Sequence, residues 1–144
     1  MLYFANPCGE AVIEKMKEGV LGFIDTPRQG NIKPPGVIWC ADNGCFGKGY
    51  PGDDKWLAWL EKLGPTDCVF ATAPDVVGDA VATMERSLPL LPEIRKRGFP
   101  AALVAQDGLE DLDVPWEAFD ALFIGGTTDW KLGPSVKGLV AEAN

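Results

Sequence analysis

Val37-Ile38-Trp39-Cys40-Ala41-Asp42-Asn43-Gly44-Cys45-Phe46-Gly47 decides how the rest of the chain is read. It opens as an apolar run rich in β-branched and aromatic residues, then breaks at Asp42-Asn43-Gly44. An apolar run of this length, bounded by turn residues, is the pattern of a buried parallel strand. A carboxylate at that junction sits at the C-terminal end of the strand, where α/β folds bind their ligands. Asp42 is therefore the first candidate for chemistry, and later strands should bring partners to it.

Working outward, the same kind of run recurs. Leu2 to Ala5 and Val20 to Ile24 precede the Val37–Ala41 strand; Cys68 to Ala71, Pro100 to Ala105 and Ala121 to Ile124 follow it. Amphipathic stretches alternate with these runs. Gly9 to Glu18 is a short helix ended by Gly19. Asp54 to Leu63 carries the apolar stripe Trp56, Leu57, Trp59, Leu60 and Leu63, with Asp53 as its expected N-cap and Gly64-Pro65 as its stop. The two tryptophans read as core packing rather than as a stacking platform for bases. Ala80 to Arg97 follows an expected cap at Asp79, with Val81, Met84, Leu88, Leu91 and Ile94 inward; Pro89 and Pro92 predict a break in it. A short helix is expected near Trp116 to Phe119 and a loop from Trp130 to Gly133. Pro134 at the first helical position starts the last helix. Asp25 to Gly36 is rich in Gly and Pro and is a loop, either an ordinary surface segment or a lid. Lys48 to Gly52 is a second loop.

Alternation of strands and helices predicts a parallel sheet covered by helices. About six βα units in 144 residues suit one α/β domain. That is too few for a closed eight-stranded barrel, which takes about 250 residues. The expectation is a barrel-like but incomplete sheet, part of a longer (β/α)8 barrel, with an open α/β sheet as the alternative.

Composition narrows the chemistry. The chain has no histidine, which excludes Ser-His-Asp and Cys-His catalysis within it. Acid–base work then falls first to Asp and Glu. Four cysteines lack any C-x-x-C pair, so neither a zinc knuckle nor a thioredoxin motif is supported. No apolar run is long enough to span a membrane, and the N-terminus has no signal-peptide pattern. Reduced thiols and a cytoplasmic location are the expectation. A net charge of −8 repels polyanions, so a nucleic-acid contact would have to be local or lie on another segment. The small clusters Glu93–Arg97 and Lys15/Lys17 read as solvated helix faces.

The strand ends carry Asp42, Asp75, Gln106 and Gly125-Gly126 in turn. In a parallel sheet these ends point one way, so the groups can converge on one pocket. A carboxylate accepts the N1 and 2-amino hydrogens of a guanine-like edge, a glutamine donates to O6, and a Gly-Gly turn lets backbone N–H groups approach a planar ligand. Taken singly, the Asp is a turn former or cap, the Gln merely polar and the Gly-Gly conformational. The series on successive strands is what points to a site.

Asp42-Asn43-Gly44-Cys45-Phe46-Gly47 resembles the D-S-G-G-F-Q element of tRNA-guanine transglycosylases. Val104-Ala105-Gln106-Asp107-Gly108 resembles their V-Q-G-G strand end, and Ile124-Gly125-Gly126 resembles their I-G-G-L segment. Trp39 to Gly52, Ala71 to Asp79, Leu103 to Gly108 and Phe123 to Gly133 look closer still to phage-type relatives that act on DNA. The resemblance implies a TIM-like barrel, and exchange of guanine in DNA for a free 7-deazaguanine base such as preQ0. It implies Asp42 as the catalytic acid/base, with Asp75, Gln106, Gly125, Gly126 and Phe46 binding the base. The family's covalent nucleophile is a further aspartate after the I-G-G-L segment, and no position before Asn144 matches it. The tRNA family's zinc site has no counterpart in these residues, so no cofactor is expected within this chain. Two other readings stand beside this one: a nucleoside deoxyribosyltransferase-like enzyme on an open sheet, and a purine-binding module without catalysis.

Overall fold

The computed structural model describes residues 3–47 and 49–143. Leu2, which the sequence assigns to the first strand, and Lys48, assigned to the loop before the second long helix, lie outside the described residues. Among the described residues there are six strands: β1 (Phe4–Ala5), β2 (Gly22–Asp25), β3 (Trp39–Ala41), β4 (Cys68–Thr72), β5 (Ala101–Ala105) and β6 (Ala121–Ile124). They lie side by side in chain order, each parallel to the next. The helices between and after them are α1 (Glu10–Lys17), α2 (Asp53–Leu63), α3 (Ala80–Ser87), α4 (Leu91–Lys96), α5 (Thr128–Lys131) and α6 (Pro134–Glu142).

Strand order identical to chain order has a consequence. Parallel crossovers are right-handed, so every connection falls on the same side and the sheet winds in one sense. A doubly wound sheet would reverse its order at a switch point. Here there is no reversal, and the sheet curls into a half-barrel. The expected α/β class with an incomplete barrel-like sheet is the fold found.

The two faces of the sheet differ. Phe23, Trp39, Ala41, Ala71, Leu103 and Ala105 point to the helix side and are buried with Trp56, Leu60, Leu91 and Ile94. Cys40, Phe70 and Ala102 point the other way, into the curl, where Phe4, Ile24, Val69 and Phe123 pack around them. Phe70 sits at the centre of this second group, 5.4 Å from Phe4 edge-on and 5.7 Å from Phe123. An open cavity of about 630 Å³ lies along this face, lined by Phe4, Ile24, Val69, Phe70 and Phe123 among others.

Several local expectations need correction. Gly52, with φ 97°, takes the N-cap of α2. Asp53 is instead the first helical residue, and its Oδ1 accepts from the Tyr50 hydroxyl at 2.6 Å. Its charge still favours the helix N-terminus. Trp56 and Leu60 are fully buried as expected, but Leu63 is 42 % exposed. The Pro89/Pro92 break divides the long segment into α3 and α4, and Asp79 caps α3 through Oδ1, which accepts from Ala82 N at 2.9 Å. The inward face of α3, however, is not the one hydropathy selects. Val81 and Leu88 are exposed, while Ala80, Thr83 and Ser87 are buried. The reason is polar. Thr83 Oγ1 donates to Val76 O and accepts from Val76 N, and Ser87 Oγ donates to Pro74 O, so α3 satisfies the backbone of the loop after β4. Finally, the stretch from Trp130 does not run as an irregular loop. Thr127 caps the short helix α5, which takes in Trp130 and Lys131.

Candidate functional site

Side chains alternate between the two faces of a strand. On β3, Trp39 and Ala41 face the helices and Cys40 the curl, so Asp42, one residue past the strand, is directed into the curl. The same count on β5 sends Gln106 inward. It sends Gly125 inward beyond β6 as well, where a Cβ built on it would stand 2.8 Å from Gln106 Nε2. The concave face is thus apolar along its floor and polar along the rim made by the strand C-termini.

Asp42 is half-buried on that rim. Its backbone N–H donates to Asp25 O at 2.8 Å, which ties the end of β3 to the end of β2. Burial pushes its carboxyl up to about 6; the N–H groups of Gly44 and Asn43 pull the other way, and the nearby Asp75 charge adds to the rise. A carboxyl so tuned exchanges a proton near neutrality, which is what a general acid/base needs.

Asp75 lies after β4 and is 7 % exposed. Its Oδ1 accepts from Asn43 Nδ2 at 3.0 Å and its Oδ2 from Gln106 Nε2 at 2.7 Å. Gln106 is itself fixed from behind, because its Oε1 accepts from Gly78 N at 2.8 Å and from Gly126 N at 3.0 Å. An amide oxygen held by two N–H groups leaves the NH₂ end facing Asp75. The residues of the loop after β4, the end of β5 and the turn after β6 are therefore one hydrogen-bonded chain. The sequence sends Asp42, Asp75, Gln106 and Gly125-Gly126 to one place; of these, Asp75 and Gly126 are joined through hydrogen bonds to Gln106.

Gly126 has φ 75°, a backbone region that L side chains rarely adopt. A Cβ there would also lie 2.5 Å from the Trp130 ring and 2.7 Å from Asp107 Oδ2. The turn is held by Asp107, whose two oxygens accept from Thr127 N at 2.7 Å and Thr127 Oγ1 at 2.5 Å. Those bonds hold the Asp107 carboxyl below its usual range.

Phe46 stands apart from this cluster, 85 % exposed on the turn after Asn43. On the same turn, Cys45 lies against Asp75, and burial pushes its thiol up to about 11, too high to be a thiolate at neutral pH. Arg86, on α3, donates through Nη1 to Asp75 O at 3.0 Å and covers the Tyr50 ring at 4.7 Å. Among the described residues no group of three or more His, Cys, Asp or Glu is placed to hold a metal ion.

Asn43 is the residue the sequence reading overlooked. It is 1 % exposed, the most enclosed polar side chain on β3's turn. Its N–H donates to Thr72 Oγ1 at 2.9 Å, Nδ2 donates to Ala73 O at 2.8 Å as well as to Asp75, and Oδ1 accepts from Cys45 N at 2.6 Å. The last bond is an Asx turn, a signal that Asn-Gly carries in sequence. Its reach across to β4 is not, because that depends on strand register.

No family model, curated protein or solved structure matches the chain. Among the described residues no helix is long and apolar enough to cross a membrane.

Proposed function

We propose that the rim is a purine pocket, and that the protein is a base-exchange transglycosylase that replaces guanine in DNA by a 7-deazaguanine such as preQ0. One observation carries this reading: the buried Asp75 carboxylate is gripped from both sides by amide NH₂ groups whose orientation the backbone dictates. Each carboxylate oxygen keeps a lone pair beyond those bonds, and Gln106 keeps one hydrogen on Nε2. Two acceptors beside one donor complement the N1–H, 2-amino and O6 edge shared by guanine and 7-deazaguanines.

In this reading Asp75 and Gln106 hold the base and the Gly125-Gly126 turn lets it lie close to the backbone. Phe46 flanks the entrance. The C1′–N9 bond of the target nucleotide breaks with its electron pair going to guanine. Asp42 supplies a proton to the departing base and takes one back from the incoming base, so it ends the cycle as it began. Positive charge at C1′ passes through an oxocarbenium-like state, as in glycoside transfer. It would be met by the aspartate that the resemblance expects further along the chain. A base in duplex DNA must be flipped out to reach such a pocket. Arg86, which reaches Asp75 O, supports a local phosphate contact on an otherwise acidic chain. The same reading makes these βα units part of a longer (β/α)8 barrel, which the apolar floor of the curl supports, and makes the protein cytoplasmic.

Transfer of labelled guanine or preQ0 into DNA tests the proposal. The expected result is incorporation that Asp75→Ala and Asp42→Ala abolish. Absence of both incorporation and purine binding would overturn it. Tight purine binding without incorporation would leave the non-catalytic module.

A further inference from the structure

We propose that Asn43 is a positioning residue that sets which purines the site accepts, by fixing Asp75 as a rigid pair of acceptors. This rests on the purine-pocket reading above.

The amide of Asn43 cannot flip. Its oxygen is needed by Cys45 N and its NH₂ by Ala73 O, both backbone groups of defined polarity. The remaining amide hydrogen therefore always points at Asp75 Oδ1. Gln106 is fixed in the same way on the other side by Gly78 N and Gly126 N. Asp75 is thus held between two donors that cannot turn into acceptors. The two oxygens of a carboxylate satisfy both donors at once, and a carboxylate offers only acceptors to a ligand. The ligand side is then restricted to acceptors. It favours a ring edge with two adjacent N–H donors. It disfavours an edge that lacks the second donor, or that presents a carbonyl there, because a buried acceptor would be left unpaired or opposed.

Asparagine's length matters. A serine at position 43 still offers an oxygen to Cys45 N, but its hydroxyl is too short to grip Asp75 as well. The carboxylate would then keep one amide donor, Gln106, beside the Cys45 thiol, and discrimination between ring edges would relax.

The experiment compares binding of 7-deazaguanine and 7-deazahypoxanthine, which differ in the 2-amino group, to the wild-type chain, Asn43→Ser and the isosteric Asn43→Asp. Side-chain amide hydrogen exchange of Asn43 and Gln106 is followed by NMR in parallel. In the wild type 7-deazaguanine should bind about 100-fold tighter, and in Asn43→Ser the ratio should fall to about tenfold or less while 7-deazahypoxanthine binding is kept. Asn43→Asp, which opposes a second carboxylate to Asp75, should lose 7-deazaguanine by at least tenfold. Equal weakening of both ligands in Asn43→Ser, with the ratio unchanged, would assign Asn43 a merely structural role and overturn the proposal. A wild-type chain that binds neither ligand would overturn the purine reading and the selectivity with it. The amide exchange still reports on the grip itself: slow in the wild type and at least tenfold faster for Gln106 in Asn43→Ser. Fast exchange of both amides in the wild type would sink the grip even if neither variant folds.

Discussion

Gln106 and Asp75 meet amide to carboxylate, 2.7 Å apart, both nearly inaccessible to solvent. Gln106→Glu keeps the shape and replaces the donor by a second carboxylate. The pair can then fold only by sharing a proton. The variant should lose roughly 3 kcal/mol at pH 8. The shared site has a raised folded-state pKa, so the loss should shrink as pH falls. Urea unfolding at pH 5 and pH 8 checks this. An equal loss at both would show that the two groups do not face each other.

Asp42 gives a second pH test. Its folded value of about 6 lies above the ordinary 3.8, so between these values the native state holds more protons than the unfolded chain. Stability contributed by Asp42 is therefore full below pH 3.8 and is lost as pH rises from there through 6. Asp42→Asn should remove this slope, matching the wild type at about pH 3 and exceeding it by up to about 3 kcal/mol at pH 8. If the protein catalyses base exchange, its kcat/KM should show an inflection near the same value, absent from the variant.

The Gly125-Gly126 turn separates two kinds of constraint. Gly126→Ala meets a left-handed backbone, the Trp130 ring and Asp107 together, and should cost more than about 2 kcal/mol of stability. Gly125→Ala has an ordinary φ but would press on Gln106 Nε2 and Val104. It should cost about 1–3 kcal/mol and, if the rim binds a purine as proposed, weaken that binding more than its stability loss suggests. Thermal unfolding and binding measured on both variants test the distinction.

Trp56 is wholly buried and stacks on Trp59 with ring centroids 5.2 Å apart, yet its Nε1 has no acceptor among the described residues. Trp56→Phe removes the unpaired donor and should cost less than about 1.5 kcal/mol, whereas Trp56→Ala should cost about 3–5 kcal/mol. Denaturant midpoints of the two variants compare them directly.

How far the sequence carried this structure depends on the residue. Strands announced themselves because both faces of a parallel strand are apolar, and Gly and Pro mark where each one stops. Asp79 and Pro134 declared helix starts through local chemistry alone. Thr83 and Ser87 did not declare the buried face of α3, because their burial depends on carbonyls brought there by the loop after β4. Asp75 and Gln106 were legible as strand-end groups. What they do to each other was not, since Asn43, Gly78 and Gly126 reach them only across strand register and turn geometry.

Strand order that follows chain order also schedules the site's assembly. Asn43 meets Asp75 after 32 residues, Gln106 meets Asp75 after another 31, and Gly126 meets Gln106 after a further 20. Each bond joins the unit just added to the one before it. During synthesis these contacts are therefore made from one side, like courses of brick, each new unit docking on the one before it. A nascent chain that has emerged through the loop after β4 holds Asp75 with one of its two amide donors, and Gln106, just past β5, completes the grip. The polar rim is a running check that each new strand has docked in register.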